Sequence, residues 1–302
     1  MENPEPRSGP KKSTVVRKAP LAVRAAMRVL GVVAPPLAAR AAETLFRIPP
    51  RHVPADGERE LLASGRPLRL SVRGGTIAAW SWGEGPPVLL VHGWGSRGAR
   101  LGSFVAPLLA AGHSVLAFDA PGHGDAESRQ SSLPEFLFAV EAAHAAHGPF
   151  AGVVAHSIGG AAVTLAMDRG VSAGRALMLA PSSDPASYPK LFSAAAGVSE
   201  GIRLRMEARV VRRFGMPWSE FDVLAAARRQ RAPLLVIHDA TDTDVPWRDG
   251  AALAAAWPGA NLVTTDGLGH RRIVHDPGVV ARGVAFLEDA AASRPAAAPA
   301  AG

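Results

Sequence analysis

The alternation of short apolar segments with helical segments between residues 86 and 290 constrains the fold most strongly. Continuous apolar runs such as PPVLLVHG (86–93) and APLLVIHD (232–239) are typical of strands covered on both faces. Segments with helical periodicity separate these runs, and this β-α-β order predicts an α/β fold with a mostly parallel central sheet flanked by helices. After a predicted hairpin at 68–85, the predicted strands are 86–93, 113–122, 150–157, 175–181, 232–239 and 260–267, and the predicted helices are 133–147, 159–169, 247–257 and 277–290.

The composition divides the chain into a basic N-terminal arm at 1–50, a main domain at 51–290 and a short tail at 291–302. The polar start of the arm and the Ala/Pro-rich tail are predicted to be disordered. Residues 182–231 contain no strand-like run, so we predict a helical insertion here that forms a small lid beside the sheet.

Charge is concentrated in the arm. The chain has a formal net charge of +7, and its first 50 residues hold nine Lys/Arg against three Glu. The other residues are therefore close to neutral, which argues against a nucleic-acid-binding main domain. The chain contains no cysteine, which excludes disulfides, thiolate zinc sites and cysteine nucleophiles.

The arm has two interpretations. Its longest uncharged run, Val29–Ala39, has 11 residues, whereas a membrane-spanning helix needs roughly 20. Because this run is too short to span a membrane, we predict a cytoplasmic protein. In the first interpretation an amphipathic arm packs on its own domain; in the second it makes a weak peripheral membrane contact through an arginine-bearing face. The predicted apolar arc is Val23, Ala26, Met27, Val29, Leu30 and Val33, and the predicted basic face is Arg17, Arg24 and Arg28.

Polar residues follow several of the predicted strands, at the sheet edge where ligands bind in open parallel sheets. Ser157 ends the predicted strand 150–157 and lies within the octapeptide VVAHSIGG. Acidic residues follow the predicted strand 232–239, and His270 follows the predicted strand 260–267. A serine, an acid and a histidine in this order form a constellation for nucleophilic catalysis. Taken alone, Ser157 is better interpreted as the cap of the helix after it.

Five short motifs give the chain its resemblance to a known family: HGWGS, FDAPGHG, AHSIGG, D-x-x-V-P and G-x-G-H. In this order they resemble the α/β-hydrolase fold superfamily, in its serine hydrolase branch, over roughly residues 65–290. The resemblance implies Ser157 as nucleophile, Asp242 as triad acid and His270 as base. It also implies an oxyanion hole made by the backbone N–H groups of Trp94 and Ile158.

The triad acid has competing candidates. Asp239 and Asp244 lie within three residues of Asp242, and Asp184 follows the strand at 175–181. The family pattern D-x-x-V-P favours Asp242. The sequence also departs from the family's motifs: Ala155 replaces the first glycine of the nucleophile turn, Ala126 stands where a serine is frequent, and Asp239 replaces a common glycine. Together these changes indicate a divergent branch.

Four residues have two alternative interpretations: His92, Asp119, His123 and Asp125. The first is a metal site, and the second is their role in the family, which is to shape the oxyanion turn. The absence of cysteine and of helical i,i+4 ligand pairs disfavours a metal. We therefore predict neither a metal nor a cofactor.

A serine nucleophile predicts hydrolysis of an ester or related acyl bond in a small-molecule substrate, and disfavours the family branches that attack with a carboxylate. Trp94 and Trp218 suggest an apolar acyl pocket. Two other hypotheses remain open: a non-catalytic binding or scaffold protein with this fold, and a membrane-associated hydrolase of lipid acyl chains.

Overall fold

A computed structural model of the chain describes residues 18–289. The start of the arm and the tail, which are predicted to be disordered, lie almost wholly outside the described residues.

One eight-stranded sheet forms the centre of the molecule, in the order β1-β2-β4-β3-β5-β6-β7-β8. The first two strands form a hairpin that joins the sheet antiparallel, and the other strands are parallel to one another. This arrangement confirms the predicted fold class. The strands are β1 (Arg66–Val72), β2 (Gly75–Trp82), β3 (Pro87–Val91), β4 (Ser114–Phe118), β5 (Gly152–His156), β6 (Ala176–Leu179), β7 (Leu234–Asp239) and β8 (Asn261–Thr265).

Helices cover both faces of the sheet, because the central parallel strands are apolar on both sides and bury both in separate hydrophobic clusters. The α-helices are α1 (Leu21–Val33), α2 (Pro35–Phe46), α3 (Asp56–Ser64), α4 (Val105–Ala110), α5 (Leu133–His147), α6 (Ile158–Asp168), α7 (Tyr188–Ala196), α8 (Glu200–Phe214), α9 (Val223–Ala227), α10 (Trp247–Ala256), α11 (Gly269–Arg272) and α12 (Pro277–Glu288).

The inserted segment pairs with the arm. Helices α1 and α2 pack against α7 and α8 around a small apolar cluster that includes Met27, Ala42 and Met206. Glu43 of α2 is buried there and accepts hydrogen bonds from Arg209 at 2.6 Å and Arg213 at 2.8 Å. The arm thus packs on its own domain, as the first interpretation of this segment expects.

The predicted apolar arc of α1 is divided between two sides of the helix. Met27 is buried against the insertion and Leu30 is half-buried, whereas the other members of the arc are exposed to solvent: Val23, Ala26, Val29 and Val33. The arc is wider than the contact with α7 and α8 can cover, so α1 buries one part of it and leaves the rest exposed. Within residues 18–289, every helix is too short or too polar to cross a membrane.

Candidate active site

Ser157 occupies a sharp turn between strand β5 and helix α6. Its backbone has φ 57° and ψ −126°, a positive φ that costs a non-glycine residue about 1–3 kcal/mol. The turn is fixed from both sides, since the Ser157 N–H donates to Leu179 O at 3.1 Å and the N–H of Ser182 donates to Ser157 O at 3.2 Å. Strain that is held in this way at the carboxyl edge of a sheet is typical of a functional residue. Ser157 makes no side-chain hydrogen bond as a helix cap.

The two small residues around the turn are under different constraints. A Cβ on Gly159 would lie 2.6 Å from the carbonyl oxygen of His92 and 2.7 Å from that of Val91, so no other residue fits there. Ala155 lies earlier, inside strand β5, where it pairs with Val91 and Met178 and is fully buried. The sheet therefore accepts the alanine methyl group at the position where the family's motif has glycine.

His270 and Asp242 are brought together from two neighbouring strand ends. His270 Nδ1 donates to Asp242 Oδ2 at 2.7 Å, while Asp242 Oδ1 accepts from the N–H groups of Asp244 and Val245 at 2.8 and 2.9 Å. Burial raises the pKa of Asp242, but the hydrogen bonds from His238 and His270 outweigh it and hold this pKa well below its ordinary value. The carboxylate therefore stays ionised beside the imidazole.

The other candidate acids have different partners. Asp239 accepts hydrogen bonds from Thr241, Thr265 and the Leu268 N–H, and so ties the loop after β7 to the loop after β8. Asp244 pairs with Arg271 across 3.5 Å. Asp184 is exposed at the start of the insertion. Asp242 is thus the carboxylate that accepts a short hydrogen bond from His270, at 2.7 Å.

Two further histidines complete the surroundings of this pair. His238 is fully buried, donates from Nε2 to the carbonyl oxygen of Val245 at 3.1 Å and lies 3.4 Å from Asp242 Oδ2. The His156 ring packs against that of His270, tilted by 40° with ring centroids 4.6 Å apart, and its Nε2 donates to the His270 carbonyl oxygen at 2.9 Å. Burial, together with the nearby His270, lowers the pKa of His156 well below 6.5, so this ring is neutral. The sequence analysis did not predict either contact. The position of both histidines at strand ends was the feature that could have indicated them.

The loop after β4 is organised by its own acid and histidines. Asp119 accepts the N–H groups of Gly98 and Asp125, each at 2.7 Å, and His92 Nε2 accepts the N–H of Ala120 at 3.0 Å. His92 therefore carries its proton on Nδ1, which donates to Gly93 O at 2.7 Å. Burial, and next the neighbouring His123, lower the pKa of His92 well below 6.5. These contacts shape the turn that holds Trp94.

The backbone N–H groups of Trp94 and Ile158 are the predicted oxyanion donors. Ile158 is the first residue of α6, where an N–H has no partner within its helix. Gly93, which precedes Trp94, is so close to the nucleophile turn that a Cβ on it would lie 2.9 Å from Ser157 Cβ. The two backbone segments therefore meet at Ser157. Neither N–H donates a hydrogen bond to another group within residues 18–289.

A cavity of about 640 Å³ opens over Ser157, His156 and His270. Its walls include Trp94 and the segment that follows the arm, from Pro50 to Glu58. None of the inserted residues 182–231 lines it, which differs from the prediction that the insertion forms the lid. The reason is that α7 and α8 are engaged with α1 and α2. Trp218 likewise packs against Phe221 and lies outside this lining.

Within the described residues, no hydrogen bond joins Ser157 to His270, although both line the cavity. Such bonds are often long before a substrate binds. The described residues also contain no cluster of three or more histidine, cysteine or acidic side chains that could hold a metal ion.

Comparison with known proteins adds the following similarities. A model of the alpha/beta hydrolase family matches residues 88–283. A probable serine hydrolase from Drosophila melanogaster is 38% identical over 73 residues, which are 23% of this chain and only 21% of that protein. An esterase from Pyrococcus furiosus has a TM-score of 0.59 at 22% identity, over 80% of this chain and 98% of that one. The esterase RhEst1 from Rhodococcus has a TM-score of 0.57 at 19% identity, over 75% of this chain and 99% of that one.

Proposed function

Because the chain belongs to the alpha/beta hydrolase family, we propose that it is a serine hydrolase that cleaves an ester or related acyl bond through Ser157, His270 and Asp242. One observation carries the proposal: a serine held in a strained turn shares a cavity with a histidine whose Nδ1 lies 2.7 Å from a buried carboxylate. Nucleophile, base and orienting acid are the parts that acyl transfer to serine needs.

In the proposed reaction, His270 takes the hydroxyl proton of Ser157 as Oγ attacks the substrate carbonyl carbon. The imidazolium then gives this proton to the leaving alcohol as the ester C–O bond breaks, which leaves an acyl group on Ser157. Water, activated by His270 in the same way, attacks the acyl carbon, so that a carboxylic acid leaves and the serine is restored. Asp242 fixes the tautomer of His270 and stabilises its charged form.

The oxyanion of each tetrahedral intermediate would be bound by the N–H groups of Trp94 and Ile158. Removal of one such donor costs about 2.7–4 kcal/mol of transition-state stabilisation in a serine protease. The contacts of His92 and Asp119 support this part of the proposal, because they hold the turn on which Trp94 lies.

Hydrolysis of 4-nitrophenyl esters of short acids by the native protein and by the Ser157→Ala variant tests the proposal. We expect turnover by the native protein and loss of nearly all of it in the variant, with Ser219→Ala, an exposed serine of the insertion, as a control that keeps full activity. Equal rates for the native protein and Ser157→Ala would contradict the assignment. A folded native protein that a fluorophosphonate probe does not label would favour the scaffold hypothesis instead.

A second proposal concerns the arm: we propose that the outer face of α1 binds an anionic membrane surface. The residues that point away from the insertion are apolar along the whole helix, with Leu21 80%, Val29 64%, Val32 83% and Val33 77% exposed. Arg28 and Arg40 are exposed in the same two helices. An exposed apolar helix face with cations at its border is the pattern of helices that lie in a lipid interface. Such contact would bring an acyl hydrolase to lipid substrates.

Sedimentation with vesicles of phosphatidylcholine, with and without phosphatidylglycerol, tests this contact. We expect binding that requires the anionic lipid, falls in Val32→Glu and Arg28→Gln, and is kept in Leu204→Glu, which changes an exposed leucine of α8. The proposal is wrong if the native protein sediments with neither kind of vesicle. A concentration-dependent dimer that Val32→Glu abolishes would assign the face to a second copy of the chain instead.

A further inference from the structure

The cavity over Ser157 carries excess positive charge. Apolar residues such as Val53 and Trp94 line part of the wall, and arginines reach it from several segments of the chain. The charged side chains that line it are four arginines and two carboxylates: Arg51, Arg97, Arg100, Arg271, Glu58 and Asp244. The cavity therefore combines apolar surface, which includes Trp94, with a cluster of arginines that the sequence analysis did not predict, and Trp218 lies outside it.

Arg97 has a donor group with no hydrogen-bond partner. Its side chain is only 9% exposed, and Nη2 donates to the carbonyl oxygen of His52 at 2.7 Å. Nη1 is buried and makes no hydrogen bond within residues 18–289. The carboxylate of Asp125 lies 3.8 Å away, beyond hydrogen-bond distance, and is itself 61% exposed. A buried cationic donor left without an acceptor is costly, unless a ligand supplies one.

Two more arginines are paired only loosely. Arg100 Nη1 lies 3.6 Å from Glu58 and Arg271 Nε lies 3.5 Å from Asp244. Both distances exceed the 2.7–3.2 Å range that N–H···O hydrogen bonds usually have. Guanidinium groups have five donors each, so both can bind another oxyanion without losing these carboxylates. Arg100 is close enough to the nucleophile turn to contribute to the lowered pKa of His156, after burial and His270.

We propose that this cavity selects esters that carry a second, ionised carboxylate, which Arg97 and Arg100 bind from the wall and Arg271 from the rim. The inference rests on the proposed function, because it assigns a substrate class to the same site. A guanidinium matches a carboxylate with two parallel hydrogen bonds, a geometry that an apolar acyl chain cannot use. The volume of about 640 Å³ falls within the range for small-molecule sites.

Two esters that differ at one end test the selection: mono-4-nitrophenyl adipate and 4-nitrophenyl hexanoate have acyl chains of equal length, and only the first ends in a carboxylate. We expect the native protein to prefer the adipate in kcat/KM. The adipate-to-hexanoate ratio should fall about tenfold in Arg100→Gln, the loss of one charge-assisted hydrogen bond, and also fall in Arg271→Gln. The matched control Arg229→Gln removes an exposed arginine that pairs with Asp168, and should keep the ratio.

Binding of adipate to the Ser157→Ala variant, measured by calorimetry, separates this inference from the proposed function. If no ester is hydrolysed but adipate binds and Arg100→Gln weakens it, the proposed function fails while the anion site stands. If esters are hydrolysed but hexanoate is preferred, or no arginine variant changes the ratio, the anion site is overturned and the hydrolase stands. Inorganic phosphate that binds more tightly than adipate would overturn the carboxylate assignment.

Discussion

At the scale of single residues, the assignment of Asp242 as the acid that orients His270 is open to direct test. Replacement by asparagine keeps the shape but removes the charge, so His270 loses the acceptor that fixes its tautomer. We expect Asp242→Asn to lower kcat about 10⁴-fold, the size of this change in a serine protease. Ester hydrolysis assays measure the loss, and circular dichroism checks the fold.

Asp184→Asn is the matched control for that variant, because Asp184 is exposed and is the other place where this fold can supply the acid. We expect this variant to keep native rates. The opposite outcome, with Asp184→Asn inactive and Asp242→Asn active, would move the acid to the strand before the insertion.

Gly159 gives a stability prediction at the same scale. In Gly159→Ala the new methyl would meet the backbone carbonyl oxygens of His92 and Val91 at 2.6–2.7 Å, and we expect the free energy of unfolding to fall by about 1–3 kcal/mol. Gly201 is the contrast: it lies within α8 and a Cβ there meets nothing within 4 Å. Gly201→Ala should gain about 0.5–1 kcal/mol. Urea denaturation measures both, and equal effects would refute the role of close packing at the turn.

The sequence could predict which residues gather at this edge of the sheet, since each chemical group stands beside a strand end in a short local motif. The residues alone could not decide between Asp242 and Asp244, which only the family pattern separated, because the choice depends on where the loop after β8 places His270. The contacts of His156 and His238 were missed for the same reason. His156 contacts His270, which is distant in the chain, and the contact of His238 with Asp242 depends on how the loop after β7 folds back; a local pattern encodes neither.

At the scale of elements, the helix predicted at 133–147 coincides with α5, and the eight predicted strands lie within a few residues of the observed ones. Helix α3 was missed because its apolar side is small: none of its residues is fully buried, and only Leu61 and Leu62 pack against the core. The sequence also did not predict which side of α1 faces the domain. Its apolar residues cover more than one side of the helix, and only the position of α7 and α8 decides which of them are buried.

The contact between arm and insertion predicts a pH dependence. Burial raises the pKa of Glu43, but the hydrogen bonds from Arg213 and Arg209 outweigh it and lower this pKa below 4.5. A lowered pKa in the folded state stabilises the contact above pH 4.5, and the contribution is lost as the pH falls from there through the folded pKa. We expect α2 to exchange its amide hydrogens faster in Glu43→Gln than in the native protein at pH 7.

This difference should vanish at acid pH, where native Glu43 is protonated as well. Hydrogen exchange followed by mass spectrometry measures it, with the exposed Glu60→Gln as control. A difference that persists unchanged far below pH 4.5 would show that Glu43 acts through packing and not through its charge.

At the scale of the whole molecule, the cavity is closed by the segment that links the arm to the sheet. Arg51 fixes this segment to the loop after β4, where it donates to the carbonyl oxygens of Gly122 at 3.0 Å, Ala126 at 2.6 Å and Ser128 at 2.8 Å. Arg97 holds the next residue, His52, by its carbonyl. This wall of the cavity therefore comes from a segment outside the inserted helices.

Arg51→Ala should release this wall while leaving the nucleophile turn and the Asp242–His270 pair in place. We expect a higher KM for the neutral ester 4-nitrophenyl hexanoate, by several-fold, with a smaller change in kcat, because substrate loses wall contacts that do not depend on its charge. Faster amide exchange confined to residues 50–58 would locate the effect. If KM rises only for the adipate and exchange at 50–58 is unchanged, Arg51 acts through its charge alone and the segment does not need it for closure.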